Sequence, residues 1–419
     1  MTLAGLLVMV LLLLVLRQNL LVVLGCVAAY AYLIWGDGVL EYIVFDGWDA
    51  LNRDVLLSIP LYLLAGNIMA GGAIAPRLVR LMRALTGPVP GGLAIATVLS
   101  CGLFAAIVGS SIVTLLAVGS IMYPALLQAG YSRSFSLGII CAGGTLGIII
   151  PPSIPLILYG VITSTSIADL FLAGIGPGLL LMGLFAVYSI AMNWRRRLPG
   201  WDLAELGAAF RAGAWSLMLP IIILGGIYSG YFTATESAAV ALVYAIFVEM
   251  VVHRELEWRG LFRITGETTR LLGSLFPVLM MALSLNVFLS YQQVPGQIVT
   301  VLSDWFQGPT SFLIVTNVLL LAVGMVMDIG SAILILAPIL QPVAEAQGID
   351  PVHFGIMMTV NLEIGYLTPP MGLNLIVAMG AFRVDFPTVI RAVLPFIALM
   401  LGALVVVAAV PRLSLFMID

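Results

Sequence analysis

The 419-residue chain has no lysine, two histidines and three cysteines, and only 9% of its residues are charged. A soluble globular domain is roughly a quarter charged, so this composition excludes one. Cys26, Cys101 and Cys141 all fall in apolar runs without metal-ligand spacing. They read as small buried hydrophobes. With His253 and His353 as the only imidazoles, zinc or haem chemistry has little to build on. P-loop and metalloprotease signatures are missing, as is a nucleophile paired with a base, so an enzyme has no constellation to use.

What is abundant is apolar surface. Hydrophobic residues make up 62% of the chain, and the mean hydropathy is +1.17. A spanning helix needs about 20 apolar residues. Thr2–Leu16, Leu20–Trp35, Leu56–Met69, Leu170–Met192, Ala214–Tyr228, Ser237–Val252, Leu271–Leu289 and Val389–Val410 supply such runs, which predicts an all-α polytopic membrane protein. The first run has no basic leader or small-residue cleavage site and reads as a span, not a removable signal. Trp35–Asp54 carries acids among apolar residues at helical spacing, which suits an interfacial helix. Further amphipathic pieces are expected at Asp202–Arg211 and His253–Arg270.

Two proline pairs, Pro151-Pro152 and Pro369-Pro370, stand 218 residues apart. The same offset relates Pro124 to Pro342, Gly130 to Gly348 and Gly147 to Gly365, so the sequence contains an internal duplication. Proline removes a backbone donor and clashes with the preceding turn, so each pair breaks a helix inside an apolar run. Lipid cannot satisfy the freed backbone groups. Repeated hydrophobic halves interrupted at corresponding places point to the binding site of a secondary transporter.

Charge suggests how the halves lie. Two arms of about 16 residues (Leu93–Val108 and the stretch to Leu127) meet at Gly109-Ser110-Ser111, with Arg77, Arg80, Arg83 and Arg133 outside them. Arms this short predict a re-entrant hairpin, and basic flanks mark the cytoplasmic side. The corresponding arms Phe312–Met327 and Ile329–Val343 meet at Asp328 and are flanked by Asp304, Glu345 and Asp350 without arginine. The two hairpins are therefore expected to enter from opposite faces, as an inverted repeat. The link Trp194–Trp201 is basic and expected in the cytoplasm.

Around the first break lie Gly143, Gly144, Thr145 and Ser153, and around the second lie Asn361, Glu363, Thr368, Gly372 and Asn374. Small and hydroxyl residues serve plain helix packing as well. Ser110, Ser111 and Thr114 offer hydroxyls at the first hairpin tip. Asp328, an acid between apolar arms, is by default a functional-site residue, unless the tip simply reaches water. Glu363 reads equally as an intramembrane or an interfacial acid. Glu236 reads as a first-turn acid and His353 as a helix-start residue.

Long stretches then carry a resemblance: Gly109-Ser110-Ser111, Gly119–Ala125, Ile150–Pro155, Tyr231–Ala239, Gly348–Gly355 and Asn361–Asn374. Together they resemble the large membrane subunit of the tripartite ATP-independent periplasmic (TRAP) transporters over nearly the whole chain. One departure is Ala234, where many relatives have proline before the threonine-glutamate pair. The resemblance implies an elevator-type importer of a small organic acid (carboxylate), coupled to sodium with two or more ions, in the inner membrane of a bacterium or archaeon. It also implies a separate small four-span membrane subunit and a periplasmic substrate-binding protein, with lipid around the chain and no nucleic acid. Residues 1–85 would be scaffold spans and the interfacial helix, and residues 86–193 the first transport half, with hairpin 91–127 and broken helix 135–163. Residues 194–306 would be the link and further scaffold, residues 307–388 the second half, with hairpin 310–345 and broken helix 353–382, and residues 389–419 the last span. Within this frame cation ligands are expected at Ser110, Gly144 and Thr145 and at Asp328, Gly365 and Thr368. Substrate contacts are expected at Ser111, Thr114, Ser153, Asn361 and Asn374. The rival readings are a stand-alone ion-coupled carboxylate carrier, an intramembrane enzyme and a channel.

Overall fold

The computed structural model describes residues 5, 8–10, 12–13, 16, 18–36, 38–195, 200–303, 306 and 308–418. Most of the expected first span lies outside them, as do Asp37, Arg196, Arg197 and Asp304. Among the described residues the chain is helical without a strand, and nine helical stretches are long and apolar enough to cross a membrane.

The chain opens with α1 (Leu20–Ile34), α2 (Glu41–Leu51), a 3-10 turn (Asp54–Leu57), α3 (Ser58–Gly71) and α4 (Ile74–Thr86). Five helices follow: α5 (Gly92–Val108), α6 (Ser111–Gln128), α7 (Arg133–Ile149), α8 (Ile154–Thr163) and α9 (Ile167–Met192). Next come α10 (Leu203–Tyr228), α11 (Ala234–Phe247) with a π turn at Val248–Val252, α12 (Trp258–Tyr291) and α13 (Val294–Ser303). The pattern of five then returns as α14 (Pro309–Gly324), α15 (Ile329–Ala346), α16 (Pro351–Gly365), α17 (Leu373–Phe382) and α18 (Phe386–Ala409), before a short α19 (Arg412–Leu415). Helix lengths of 17, 18, 17, 10 and 26 residues in the first set face 16, 18, 15, 10 and 24 in the second. At 1.5 Å per residue the arms of each hairpin, α5/α6 and α14/α15, reach about 24–27 Å, less than the roughly 30 Å hydrocarbon layer.

Two expected boundaries are absent. The amphipathic pieces at Asp202–Arg211 and His253–Arg270 are not separate but form the first turns of α10 and α12. Neither sequence contains a stop between its amphipathic and apolar parts. Pro220 and Pro277 lie inside these helices, as membrane helices tolerate when neighbours re-satisfy the backbone.

The scaffold helices pack as α3 on α11, α4 on α10, and α1 and α2 on α12. Glu249 of the π turn is fully buried, and its carboxylate accepts the amides of Ala73 and Ile74, each at 2.9 Å, at the start of α4. Those are orphan donors of a helix N-terminus, so one acid pins two elements. Glu236 forms a capping box with Thr233, the first-turn role expected of it.

At the centre of the paired fives stand α7 and α16. Every residue of α7 from Phe135 to Ile149 is buried, and so is every residue of α16 from His353 to Gly365. A helix apolar on all sides belongs inside. The cross-packing is reciprocal: α6 meets α17 and α15 meets α8, while α7 meets α18 and α16 meets α9.

Candidate functional site

Each proline pair leaves a short non-helical segment in the middle of the protein. In the first, Ile150 to Ser153 separate α7 from α8, and the buried Ser153 hydroxyl accepts the Leu156 amide at 3.4 Å, capping α8. In the second, Tyr366 to Gly372 separate α16 from α17. The Thr368 hydroxyl donates to the Ile364 carbonyl at 2.7 Å, and the Asn374 amide donates to the Tyr366 carbonyl at 3.2 Å. Both Pro-Pro bonds are cis.

The hairpin tips close on these breaks. Gly109 turns hairpin 1 with φ +64°, and a Cβ there would lie 2.5 Å from the Pro152 carbonyl oxygen. Glycine is required there twice, by conformation and by contact. The Ser110 carbonyl accepts from the Thr114 amide at 3.1 Å and the Thr114 hydroxyl at 2.8 Å. Against it lies Gly147, whose Cβ would be 2.6 Å from that same oxygen, and Gly144 packs on the backbone of Leu115. In the second half the equivalent of Gly147, Gly365, sits in backbone contact with Gly324 at the end of α14. The Met371 amide donates to the Met325 carbonyl at 3.2 Å, and the Ile329 amide donates to the Tyr366 hydroxyl at 3.0 Å.

The halves also meet through side chains. Ser111, first residue of α6, donates to the Oδ1 of Asn374 in the first turn of α17 at 2.8 Å, and both are buried. This joins a hairpin tip of one half to the broken helix of the other across 263 residues of sequence.

Three expected site residues lie differently. Asp328 is exposed and caps its own helix, accepting the Ser331 amide at 2.8 Å and the Ser331 hydroxyl. A cap is what a carboxylate just before a helix does best, and its hydrogen bonds lie at the start of its own helix. Asn361 joins Asn317 of α14 instead of Ser111 and Asn374, donating to the Asn317 carbonyl at 2.9 Å and its Oδ1 at 2.7 Å. It lines a largely apolar cavity of about 900 Å³ bordered by α14, α18 and the 348–350 turn, away from the breaks. Thr114 spends its hydroxyl proton inside its own hairpin. Conversely, Tyr366 and Asn317 fasten hairpin 2 to α16 and were not singled out from sequence. A lone asparagine within the apolar run 312–327 was the available signal for the latter.

Of the acids, Glu363 is settled as interior: it is fully buried in α16, and neither carboxylate oxygen meets a hydrogen-bond donor. His353 lies in the first turn of α16, as a helix-start residue. The polar groups at the breaks are hydroxyls, amides and carbonyls. Among the described residues no three His, Cys, Asp or Glu side chains gather in a metal-binding group. Oxygen donors of this kind suit a hard cation and not a transition metal, and the hydroxyls and helix-end carbonyls around Ser110, Thr145 and Thr368 fit one.

A multi-pass helical protein whose polar groups converge on two interrupted helices is built as a membrane carrier. Residues 7–413 match the family model described as "Tripartite ATP-independent periplasmic transporter, DctM component", and the chain belongs to that family. It is 40% identical over 395 residues, 94% of this chain and 92% of the other, to the C4-dicarboxylate TRAP transporter large permease protein DctM of Pseudomonas aeruginosa. It is 37% identical to the ectoine TRAP transporter large permease protein TeaC of Halomonas elongata, covering 92% and 91%. The isethionate TRAP transporter permease protein DctMQ of Oleidesulfovibrio alaskensis is likewise 37% identical, over 94% of this chain and 62% of that one. Among solved structures the Alcanivorax borkumensis YdaH transporter aligns with a TM-score of 0.68 over 90% of each chain at 15% identity, a likeness of fold. The protein is thus a multi-pass inner-membrane permease component and not an enzyme.

Proposed function

We propose that this chain carries a small organic acid inward by symport with two or more sodium ions, moving α5–α9 and α14–α18 as an elevator against the scaffold. The observation that carries the reading is the Ser111–Asn374 hydrogen bond at the meeting point of a hairpin tip and a helix break. The amino-terminal ends of α8, capped by Ser153, and of α17, which begins after Gly372 beside Asn374, present amides and the positive ends of helix dipoles to a carboxylate. Sodium ions at Ser110, Gly144 and Thr145 in one half and at Gly365 and Thr368 in the other offset the substrate charge. Asp328 belongs in this scheme to the tip of hairpin 2, which it holds in shape. C4-dicarboxylates, ectoine and isethionate, named for the relatives, mark the substrate range from which the cargo is drawn. Substrate arrives on a periplasmic binding protein, and a small membrane subunit completes the permease, as the tripartite family description supports.

The test is reconstitution. The chain with its small subunit and a ligand-loaded binding protein in liposomes takes up substrate only under an inward sodium gradient, and ATP makes no difference. Uptake by this chain alone from free substrate would overturn the tripartite reading in favour of a stand-alone carrier.

A further inference from the structure

Glu363 has no task in the scheme above, yet it is the costliest side chain in the transport half of the protein. A carboxylate that is buried and unpaired is far more expensive than a neutral polar group, and neither oxygen of Glu363 meets a donor. Glu249, the other fully buried acid among the described residues, is answered by two backbone amides. The polar group facing Glu363 is the hydroxyl of Thr145 on α7. That hydroxyl has a single proton, and the Ala142 carbonyl, 2.6 Å away, stands as a competing acceptor for it. A buried acid and a hydroxyl whose one proton has two acceptors thus meet across the α7–α16 contact, and a cation between them would engage the oxygen lone pairs that this proton leaves unserved.

Thr145 and Glu363 are equivalent residues of the duplication, separated by the same 218 residues as the two proline pairs. Equivalent residues of two halves can face each other only at the junction that relates the halves. The oxygen sets around the hairpin tips belong to one half each; this pair belongs to both.

We propose that Glu363 and Thr145, helped by main-chain carbonyls of α7 and α16, bind one alkali cation at the junction of the two halves, in addition to a cation held by each half. The inference rests on the sodium-coupled reading. A single carboxylate neutralises a single positive charge, whereas calcium takes six to eight oxygens, and no third acid, histidine or cysteine joins the group among the described residues. Occupied, the site neutralises the buried charge and ties α7 to α16, so that the two halves move as one body.

The experiment uses the chain with its small membrane subunit in lipid nanodiscs. Bound radioactive sodium is counted by scintillation proximity, and thermal stability is followed against sodium concentration. Glu363→Gln keeps the shape and removes the charge. It is expected to bind one sodium fewer than the wild type and to lose the matching part of the sodium-dependent rise in melting temperature. Thr145→Val keeps the carboxylate and removes its facing oxygen, which the first-half site shares, and is expected to weaken sodium binding about tenfold, roughly 1.4 kcal/mol. Glu363→Asp, which withdraws the carboxylate by one methylene, is expected to change the preference among lithium, sodium and potassium, which a purely structural role would not move, and it carries the test if Glu363→Gln does not assemble. An unchanged sodium count and affinity in Glu363→Gln, with the wild type binding sodium, would overturn this site and leave sodium coupling standing. No sodium binding by the wild type would overturn the coupling itself, and this site with it.

Discussion

At the scale of single residues the structure separates charge from capping at Asp328. Its carboxylate is engaged by the amide and hydroxyl of Ser331, and an N-cap of this kind is worth about 1 kcal/mol. Asparagine caps as well as aspartate but carries no charge. Asp328→Asn is therefore expected to keep sodium-driven uptake within about twofold of wild type, while Asp328→Ala lowers thermal stability by about 1 kcal/mol and impairs uptake through a loosened tip. A loss in Asp328→Asn as deep as in Asp328→Ala would restore the acid to the ligand set. The Ser111–Asn374 bond gives a sharper expectation. Truncating either partner strands the other in a buried site, at a cost of about 1–3 kcal/mol, so Ser111→Ala and Asn374→Ala should each reduce substrate affinity. A double-mutant cycle read by uptake KM should show strong coupling, and additive losses would mean that the contact does not act as a unit.

Among elements, the hairpins are the parts most dependent on glycine. Gly109 has a positive φ and no room for a Cβ beside Pro152, while Gly365 abuts the backbone of Gly324. Gly109→Ala is expected to displace the hairpin 1 tip from the first break and to abolish uptake, with the subunit still assembled on a sizing column. Wild-type uptake by this variant would show that tip and break need not touch. The opposite entry of the hairpins is tested by single cysteines at Gln128 and Ala346, both exposed at the outer ends of α6 and α15. Cys101 and Cys141 are buried and need not be removed; Cys26 should be replaced. Labelling of Gln128→Cys from the cytoplasm and Ala346→Cys from the periplasm is expected, and labelling of both from one side would end the inverted arrangement.

For the whole molecule, the division of labour follows burial. The paired fives close around α7 and α16, whereas the scaffold helices α10 and α11 leave Phe210, Ile221 and Val243 exposed, at 59%, 62% and 67%. Apolar faces of this kind suit lipid or another membrane helix, and neither demands polar contacts. Docking of the binding protein is different. Acids such as Asp350 on a loop outside the helices favour a basic partner surface, so uptake at limiting binding protein should fall as salt is raised at a constant sodium gradient, in keeping with screening over about 10 Å at 0.1 M. Uptake indifferent to salt would assign docking to apolar contacts.

The sequence by itself determined the class of the protein, the duplication and the places where helices break. These rest on local facts: apolar run length against membrane thickness, and proline's missing donor. It also foretold that Glu236 would serve its own helix start, because capping is decided within four residues. Where a boundary lacked a breaker, as before Ala214 and Leu271, the sequence suggested two segments and the chain made one, since a helix continues until something stops it. Which polar residues meet was decided only by tertiary structure. Ser111 reaches Asn374, Asn361 turns to Asn317, Asp328 folds back on Ser331, and Glu363 faces Thr145. A side chain's partner depends on how helices far apart in sequence cross, and that crossing is set by the summed packing of α7 and α16 against their neighbours, to which no single motif holds the key.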